Sequence, residues 1–265
     1  MVSYPTGRRR VLVALGAGLA VVAVGGCASA AGAPSGPARI ACASGAEELH
    51  AALLLGADPV LAARGPGDPV IADLGYRLDG VPRPDPADGD ALAAALAQTR
   101  PDIVLHTAVP PSGDARAVLV DPSLPVDDQL LALGAALRRD AEAEQAIAGH
   151  GYLASQVAAV VAGSVLAGAT VAVIAPGPGG PTMLGADSPA GAALHAAGVG
   201  ALLDDPAKVA EADFWLRVAG TPLMEVPAER AAWVGPEFVL ESALVRLARL
   251  RQIDRLARWF SGVPR

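Results

Sequence analysis

The chain has 265 residues, of which 52% are hydrophobic and only 3% aromatic, and its formal net charge is −7. This length allows one large domain or two modest domains with a substantial core. The acidic balance, with no basic tract beyond the N-terminal segment, argues against nucleic acid as a partner, because neutralising phosphate requires clustered lysine and arginine.

The first thirty residues have the order of a secretory signal. Three arginines at 8–10 precede an unbroken apolar run at 11–24, and Gly25, Gly26 and Cys27 follow. This order is typical of an export signal, and a cysteine after the small pair resembles the lipobox of bacterial lipoproteins. We therefore expect residues 1–26 to be a lipoprotein signal peptide, with a lipid on Cys27 holding the chain at the extracytoplasmic face of the cell membrane. A transmembrane anchor is the alternative, but the run is shorter than the ~20 apolar residues of a spanning helix.

The residues after this signal predict a tether. Residues 27–37 are mostly Ala, Ser, Gly and Pro, a composition typical of a flexible linker between a lipid and a folded body. Loss of the signal changes the net charge from −7 to −10. With Cys27 lipidated, Cys42 has no cysteine to pair with. Cys42 lies in an apolar run that predicts a buried strand, where cysteine acts as a small hydrophobic residue; a reactive thiol is the alternative.

From residue 39 onward, short apolar segments alternate with helical spacing. Strands are predicted at 39–43, 70–72, 103–106, 117–120, 170–175, 214–218 and 231–234. Helices are predicted at 47–55, 90–99, 126–138, 140–166, 189–197 and 239–260. Strands separated by helices predict an α/β fold with mainly parallel sheets. Gly149 and Gly151 cost the long helix about 1 kcal/mol each relative to alanine, which leaves room for a bend there.

The long helix divides this pattern into two similar halves. We expect two Rossmann-like lobes, an N-terminal lobe at 38–139 and a C-terminal lobe at 168–265, joined by an interlobe helix at 140–167. This arrangement places a cleft between the carboxyl ends of the strands, which is where open α/β sheets bind ligands. The glycine-rich segment at 177–180 is predicted to be a loop that lines this cleft. It is not expected to bind phosphate, because Pro178 and Pro181 lack backbone N–H donors.

Three motifs occur in a defined order along the mature chain. The first strand leads through Ser44-Gly45 into Glu-Glu-Leu-His-Ala-Ala-Leu-Leu-Leu-Gly at 47–56. A helix ending at Arg100 is followed by Pro-Asp and an apolar strand, and Trp-Val-Gly-Pro-Glu-Phe at 233–238 precedes the last helix. Over about residues 39–260 these motifs resemble the periplasmic and lipoprotein solute-binding proteins of ABC importers for iron siderophores, haem and cobalamin. The resemblance implies a small-molecule metal chelate as ligand, a ferric siderophore first and then haem or cobalamin, and an ABC permease as partner.

Two features depart from that family's pattern. Its members usually carry a glutamate in the helix before each Pro-Asp strand, which docks onto arginines of the permease. The first such position falls at about Ala94, so the carboxylate there is absent or is replaced by Asp88 or Asp90 nearby. Before the second strand the chain has only an abbreviated helix at 205–211 followed by Ala212-Asp213. A degenerate paralogue that acts as a cell-envelope scaffold or interaction protein, without transport coupling, is therefore the alternative.

The sequence contains no pattern typical of a catalytic or metal centre. It has no Gly-x-Ser-x-Gly, His-Glu-x-x-His, Cys-x-x-Cys or P-loop motif, so we expect neither an enzyme nor a cofactor. Four scattered histidines do not suggest a metal cage. His106 differs from the others because it ends a predicted strand at the cleft, with a purely structural role as the alternative.

Candidate ligand contacts follow from the chemistry of a chelate. Arginine binds anionic oxygens bidentately, and Trp or Tyr stacks on flat faces. The residues of suitable type on or beside the predicted cleft loops are Tyr76, Arg77, His106, Thr107, Met183, Arg217, Trp233 and Glu237. For Trp233, as for Trp215, the alternative is a position in the core. The arginines of the last helix, at 246, 249, 251, 255 and 258, are expected to form a solvated face.

Overall fold

Strands and helices alternate along the residues that this computed structural model describes, which are 37–45, 47–108, 114–221, 226–235 and 238–261. The first half contains β1 (Ile40–Cys42), α1 (Glu47–Leu54), β2 (Pro59–Ala62), α2 (Asp68–Asp73), α3 (Gly89–Thr99), β3 (Ile103–His106), β4 (Arg116–Leu119) and α4 (Val126–Leu137). The long helix α5 (Asp140–Ala162) follows. The second half contains β5 (Thr170–Gly177), β6 (Gly180–Met183), α6 (Pro189–Ala196), β7 (Ala201–Leu203), β8 (Phe214–Val218), β9 (Ala231–Val234) and α7 (Ala243–Phe260), with 3-10 turns at Val165–Gly168, Pro206–Glu211 and Ala228–Arg230.

The strands form one sheet in each half. The first sheet has the order β2-β1-β3-β4 and is parallel throughout. The second has the order β6-β5-β8-β9, with β7 also beside β5, and only β5 and β6 pair in antiparallel fashion. These sheets confirm the predicted α/β fold of two lobes with mainly parallel strands, joined by one long helix.

An aspartate fixes the start of the central strand in each lobe. In the first lobe, the backbone N–H of Arg39 donates to Asp102 Oδ2 at 2.8 Å, and the backbone N–H of Asp102 donates to the Arg39 carbonyl at 2.8 Å. In the second lobe, Thr170 and Asp213 make the same two bonds, each at 2.8 Å. The aspartate of the Pro-Asp motif therefore aligns neighbouring parallel strands, and Asp213 keeps this role although Ala212 replaces the proline.

Two helices pass between the hydrophobic cores of the lobes. Helix α5 places Ala143 in the first core and Val157 and Val161 in the second. Helix α7 does the same: residues 243–245 and 248 belong to the first core, and residues 250, 253, 256, 257 and 260 to the second. The chain crosses between the lobes through α5, and α7 packs beside it as a second bridge. The first turns of α7 thus lie in the first lobe's core, although the predicted limits place 168–265 in the second lobe.

Several short elements differ from the sequence-based expectation. Residues 70–72 are not a strand but part of α2, which begins with proline at its first turn. The second strand of the first sheet is instead β2, which was not predicted. The glycine-rich segment at 177–180 is the turn of the β5–β6 hairpin and not a longer loop. Strands of three or four residues are too short to show a period, so pattern alone does not separate them from helix or loop.

The long helix is shorter than expected and is uninterrupted. It ends at Ala162, and Ser164 then caps the 3-10 turn by accepting the N–H of Leu166 at 3.2 Å. It continues without a break through Gly149 and Gly151, where an added Cβ would meet nothing within 4 Å.

Arg249 corrects the expectation of a solvated arginine face on α7. Its side chain is 3% exposed. It donates to the Pro189 carbonyl at 3.0 Å, to Glu241 at 2.9 Å and to the Leu240 carbonyl. Arg251, Arg255 and Arg258 are exposed as predicted. Arg249 instead joins α7 to the start of α6 and to the loop before α7.

The N-terminal predictions lie outside the described residues. The signal peptide, Cys27 and all but the last residue of the tether fall within 1–36. In the part of the chain that the structure describes, no helix combines the length and apolar character needed to cross a bilayer.

Candidate functional site

Three predicted contact residues lie in one row across the second sheet. The strand register pairs Met183 with Ile174, Ile174 with Arg217, and Arg217 with Trp233. Directly paired residues on neighbouring strands project from the same face of a sheet. One face of the second lobe therefore presents a thioether, an aliphatic side chain, a guanidinium and an indole in sequence from β6 to β9.

Arg217 and Trp233 contact each other directly. The guanidinium carbon of Arg217 lies 4.4 Å from the centroid of the Trp233 ring, within the range of a cation–π interaction. Trp233 is 49% exposed, so it is not a core residue. Among the described residues, the buried Nε of Arg217 has no hydrogen-bond partner. A buried donor without a partner is costly, and a hydrogen bond to an anionic acceptor would offset that cost.

The position of this pair along its strands favours ligand binding. Arg217 and Trp233 are each the next-to-last residue of a parallel strand, close to the carboxyl edge at which open α/β sheets bind ligands. Trp215, earlier on the same face of β8, is 4% exposed and its indole N–H donates to the Val209 carbonyl at 2.9 Å. Trp215 is thus the core residue that the alternative interpretation described, and Trp233 is not.

The carboxyl edge of the first sheet carries a network of short hydrogen bonds. The backbone N–H of Thr107, after β3, donates to Ser44 Oγ, after β1, at 2.9 Å. The carboxylate of Glu48 accepts the N–H groups of Ser44 and Gly45 at 2.7 and 2.6 Å. Adjacent strands bring these two loops together, and Glu48 at the start of α1 holds the first of them. The result is an ordered polar rim in which Thr107 and Ser44 are half-buried.

Two other residues of the first sheet have structural roles. His106 is 6% exposed, and its Nδ1–H donates to the Ala108 carbonyl at 3.0 Å, which holds the turn after β3. Cys42 is fully buried, and burial, with a smaller effect of the Glu48 charge, raises the pKa of its thiol well above the usual value. A buried, protonated thiol fits the small hydrophobic role and not the reactive one.

Tyr76 and Arg77 follow α2 and make their contacts elsewhere. Tyr76 is half-buried against the first core; burial raises its pKa, and the charge of Arg251 on α7 partly offsets this. Arg77 forms a 3.3 Å ion pair with Asp79, in which both side chains are 84% exposed. Neither contact involves a strand-end residue of either sheet. Glu237, the last predicted contact, lies outside the described residues.

Comparisons with known proteins show the fold. No protein-family model matches the chain, and no curated protein sequence matches it significantly. A periplasmic solute binding protein from Mycobacterium smegmatis is 17% identical over 86% of this chain and 94% of its own, with a TM-score of 0.59. FhuD2 from Staphylococcus aureus with bound ferrioxamine B is 14% identical over 84% and 99%, with a TM-score of 0.64. A FhuD fold-family binding protein from Bacillus subtilis is 14% identical over 87% and 96%, also with a TM-score of 0.64.

The chain has the FhuD-type fold of periplasmic binding proteins. Ser44 belongs to the polar rim of the first lobe but is not among the predicted contacts. The signal for it was present, because Ser44 closely follows the apolar segment of β1 just as Thr107 follows β3. The same strand-end reasoning that selected Thr107 selects Ser44.

Proposed function

We propose that this protein is a lipid-anchored, extracytoplasmic solute-binding protein of an ABC importer. It binds a metal chelate between its lobes, with a ferric siderophore as the first candidate and haem or cobalamin next. The observation that carries the proposal is the Arg217–Trp233 pair, in which the guanidinium lies over an exposed indole at the carboxyl edge of the sheet and its buried Nε has no hydrogen-bond partner among the described residues.

The chemistry of the row suits such a ligand. Arg217 supplies a charge-assisted hydrogen bond to anionic oxygen, which is about twice as strong as a neutral one. Trp233 offers an exposed flat face, and the thioether of Met183 adapts its shape to apolar parts of a ligand. The hydroxyls of Ser44 and Thr107 at the rim of the first lobe add hydrogen-bonding groups. These are the groups of a binding site, and we propose no catalytic role.

Proteins of the same fold support the ligand class. The S. aureus FhuD2 structure contains ferrioxamine B, and the FhuD structure from Vibrio cholerae contains Fe3+-Desferal. The B. subtilis protein is described as a component of a ferrichrome ABC transporter. We propose that this chain, with the same fold and an arginine–indole pair at a strand edge, binds the same class of solute.

The two bridging helices imply that the lobes move little when the ligand binds. Both α5 and α7 bury side chains in both cores, and rigid helices resist hinge motion more than flexible connections do. Small-angle X-ray scattering of the mature chain with and without ligand tests this point. A large compaction on binding would contradict it.

Fluorescence titration of the mature protein, residues 27–265, tests the ligand class. We expect ferrioxamine B, the first member of a panel that also includes haem and cobalamin, to quench tryptophan fluorescence. Arg217→Gln removes the charged donor and should weaken binding by about tenfold or more, as expected for a charge-assisted bond. Arg77→Gln is the matched control, because Arg77 is an exposed arginine in a surface ion pair. No quenching by any panel member, or equal binding by Arg217→Gln, would contradict the proposal.

The lipid anchor has a separate test. We propose that the residue order of the first 27 positions directs export and lipidation at Cys27. Cells grown with an alkyne-labelled fatty acid should label the full chain, and Cys27→Ser should abolish both the label and membrane fractionation. Unchanged labelling of Cys27→Ser would contradict the anchor.

A cell-envelope scaffold without transport coupling is the second candidate. It is favoured by α3, where Ala94 is exposed at the position at which the resembled family carries a docking glutamate, and by the second lobe, where Pro206–Glu211 is only a 3-10 turn. Uptake of iron from ferrioxamine B separates the two functions. A deletion strain that loses uptake supports the importer, whereas normal uptake despite chelate binding in vitro supports the scaffold.

A further inference from the structure

A groove runs along the outer edge of the second sheet, between β9 and α7. It has a volume of about 680 Å³ and is lined by the four residues of β9, by Gln252, Arg255 and Trp259 of α7, and by Asp73 of α2. A second recess of about 410 Å³ shares Asp73 and Arg255 and extends the groove to Arg251. We call these two recesses together the β9 groove.

β9 forms one wall of the β9 groove, and one of its two edges pairs with no described strand. β9 pairs only with β8. The Val234 carbonyl accepts the N–H of Ala219 at 2.9 Å, so Val234 faces β8. Because backbone groups alternate in direction along a strand, the N–H and carbonyl of Trp233 face the groove. From the described residues, the Trp233 carbonyl accepts only a long bond, of 3.4 Å, donated by Gln252 Nε2. An exposed edge of this kind is a template for pairing with another extended segment.

The wall formed by α7 is locally basic although the chain as a whole is acidic. Arg251 and Arg255 are exposed and lie one turn apart, and within the described part of the chain Arg255 donates only to the neutral Gln252, at 3.1 Å. Neither arginine forms an ion pair with any described residue. The carboxylate of Asp254 is held by Arg258 through two bonds of 2.9 Å. Two positive charges without an ion-pair partner among the described residues therefore face the groove, where the carboxylates are those of Asp73 and of Asp254, the latter already held by Arg258.

One stripe along α7 consists of Arg251, Arg255 and the exposed indole of Trp259. Trp259 lies one turn beyond Arg255 and is 51% exposed. The rise from Arg251 to Trp259 is about 12 Å, which matches about four residues of extended chain. Trp and Arg are the residue types that most often dominate binding energy at interfaces. The stripe thus provides charge and apolar contact over the length of β9, which is four residues.

We propose that the β9 groove docks an extended, acidic segment of a partner protein. The segment adds as a strand to β9 by main-chain hydrogen bonds at Trp233, and its carboxylates contact Arg251 and Arg255. This is strand addition at a sheet edge, in which the backbone supplies affinity and alternate side chains supply specificity. The proposal does not depend on the chelate, since the uncompensated arginines of α7 are separate from Arg217.

Selection from a displayed library of random ten-residue peptides against immobilised mature protein tests the proposal. We expect the enriched peptides to be rich in Asp and Glu. The double variant Arg251→Gln/Arg255→Gln should bind the best synthetic peptide about tenfold or more weakly, and raised salt should weaken the wild-type complex. Arg246→Gln is the control, because it removes an arginine of the same helix that is paired with Asp127 and lines neither recess, and its affinity should stay within about twofold of the wild type.

Methylation of alternate backbone nitrogens in the selected peptide tests strand pairing directly. It leaves every side chain unchanged but removes the donors that a strand needs, so binding should be lost in one of the two alternating methylation patterns. No enrichment of acidic peptides, equal binding by the double variant, a loss in Arg246→Gln as large as in the double variant, or full binding by both methylated peptides would each overturn the proposal.

Discussion

Protonation of His50 should make the protein sensitive to mild acid. His50 lies on α1, is 2% exposed, and its Nδ1 is 2.5 Å from Oγ of Ser242, the residue that caps α7. Burial lowers the pKa of His50 from 6.5 to about 4, against smaller opposing effects of the Gly67 backbone and the Asp68 charge. The imidazole is therefore neutral where it joins α1 to the N-terminal end of α7.

The sign and size of the effect follow from the two pKa values. The unfolded chain takes up a proton near pH 6.5, whereas the folded chain takes it up only near pH 4. Between these values the unfolded state binds more protons, so the free energy of unfolding falls as the pH falls. Lowering the pH from about 7.5 to about 4.5 should cost about 2.5 kcal/mol from this residue alone.

Urea denaturation of residues 27–265 across this pH range measures the effect. Wild type, His50→Gln and His195→Gln are compared; glutamine retains a polar group near Ser242, and His195 is an exposed control. When the pH is lowered over this range, the free energy of unfolding should fall by about 2.5 kcal/mol more in wild type than in His50→Gln. His195→Gln should lose as much as wild type. Burial also lowers the pKa of His150, but that contribution is common to all three proteins. If His50→Gln loses as much stability as wild type, the reasoning is refuted.

Three substitutions test the packing of the fold, each by thermal or urea denaturation. Gly151→Ala should stabilise α5 by about 0.5–1 kcal/mol, because an added Cβ meets nothing within 4 Å; a lower melting temperature would contradict this. Gly45→Ala should cost about 2 kcal/mol or more, because Gly45 has φ +73° and a Cβ would overlap the Arg64 carbonyl; a neutral result would show that the turn relaxes. Asp213→Ala should cost about 1–2 kcal/mol by leaving the Thr170 N–H without its acceptor, and Asp213→Asn should recover most of the loss.

The site shows where sequence reasoning stops. Arg217 and Trp233 could be selected by residue type and strand-end position, since both signals are local. Their cation–π contact could not, because it depends on the register between β8 and β9, which are separated by 12 residues in sequence. The position of Met183 in the same row depends in turn on the β5–β6 hairpin, which residues 177–180 did not reveal.

The sequence by itself determined the order and type of the long elements and the two-lobed α/β fold. Periodicity over ten or more residues, apolar runs before polar strand ends, and the Pro-Asp motif are local properties that one stretch of chain carries alone. Only the tertiary structure decided which residues are partners. It buried Arg249, made α7 a second bridge between the cores, and placed β2, β6 and β7 in the sheets. The reason is physical: burial, register and pairing are set by contacts between segments distant in sequence, and short strands acquire their conformation from those contacts.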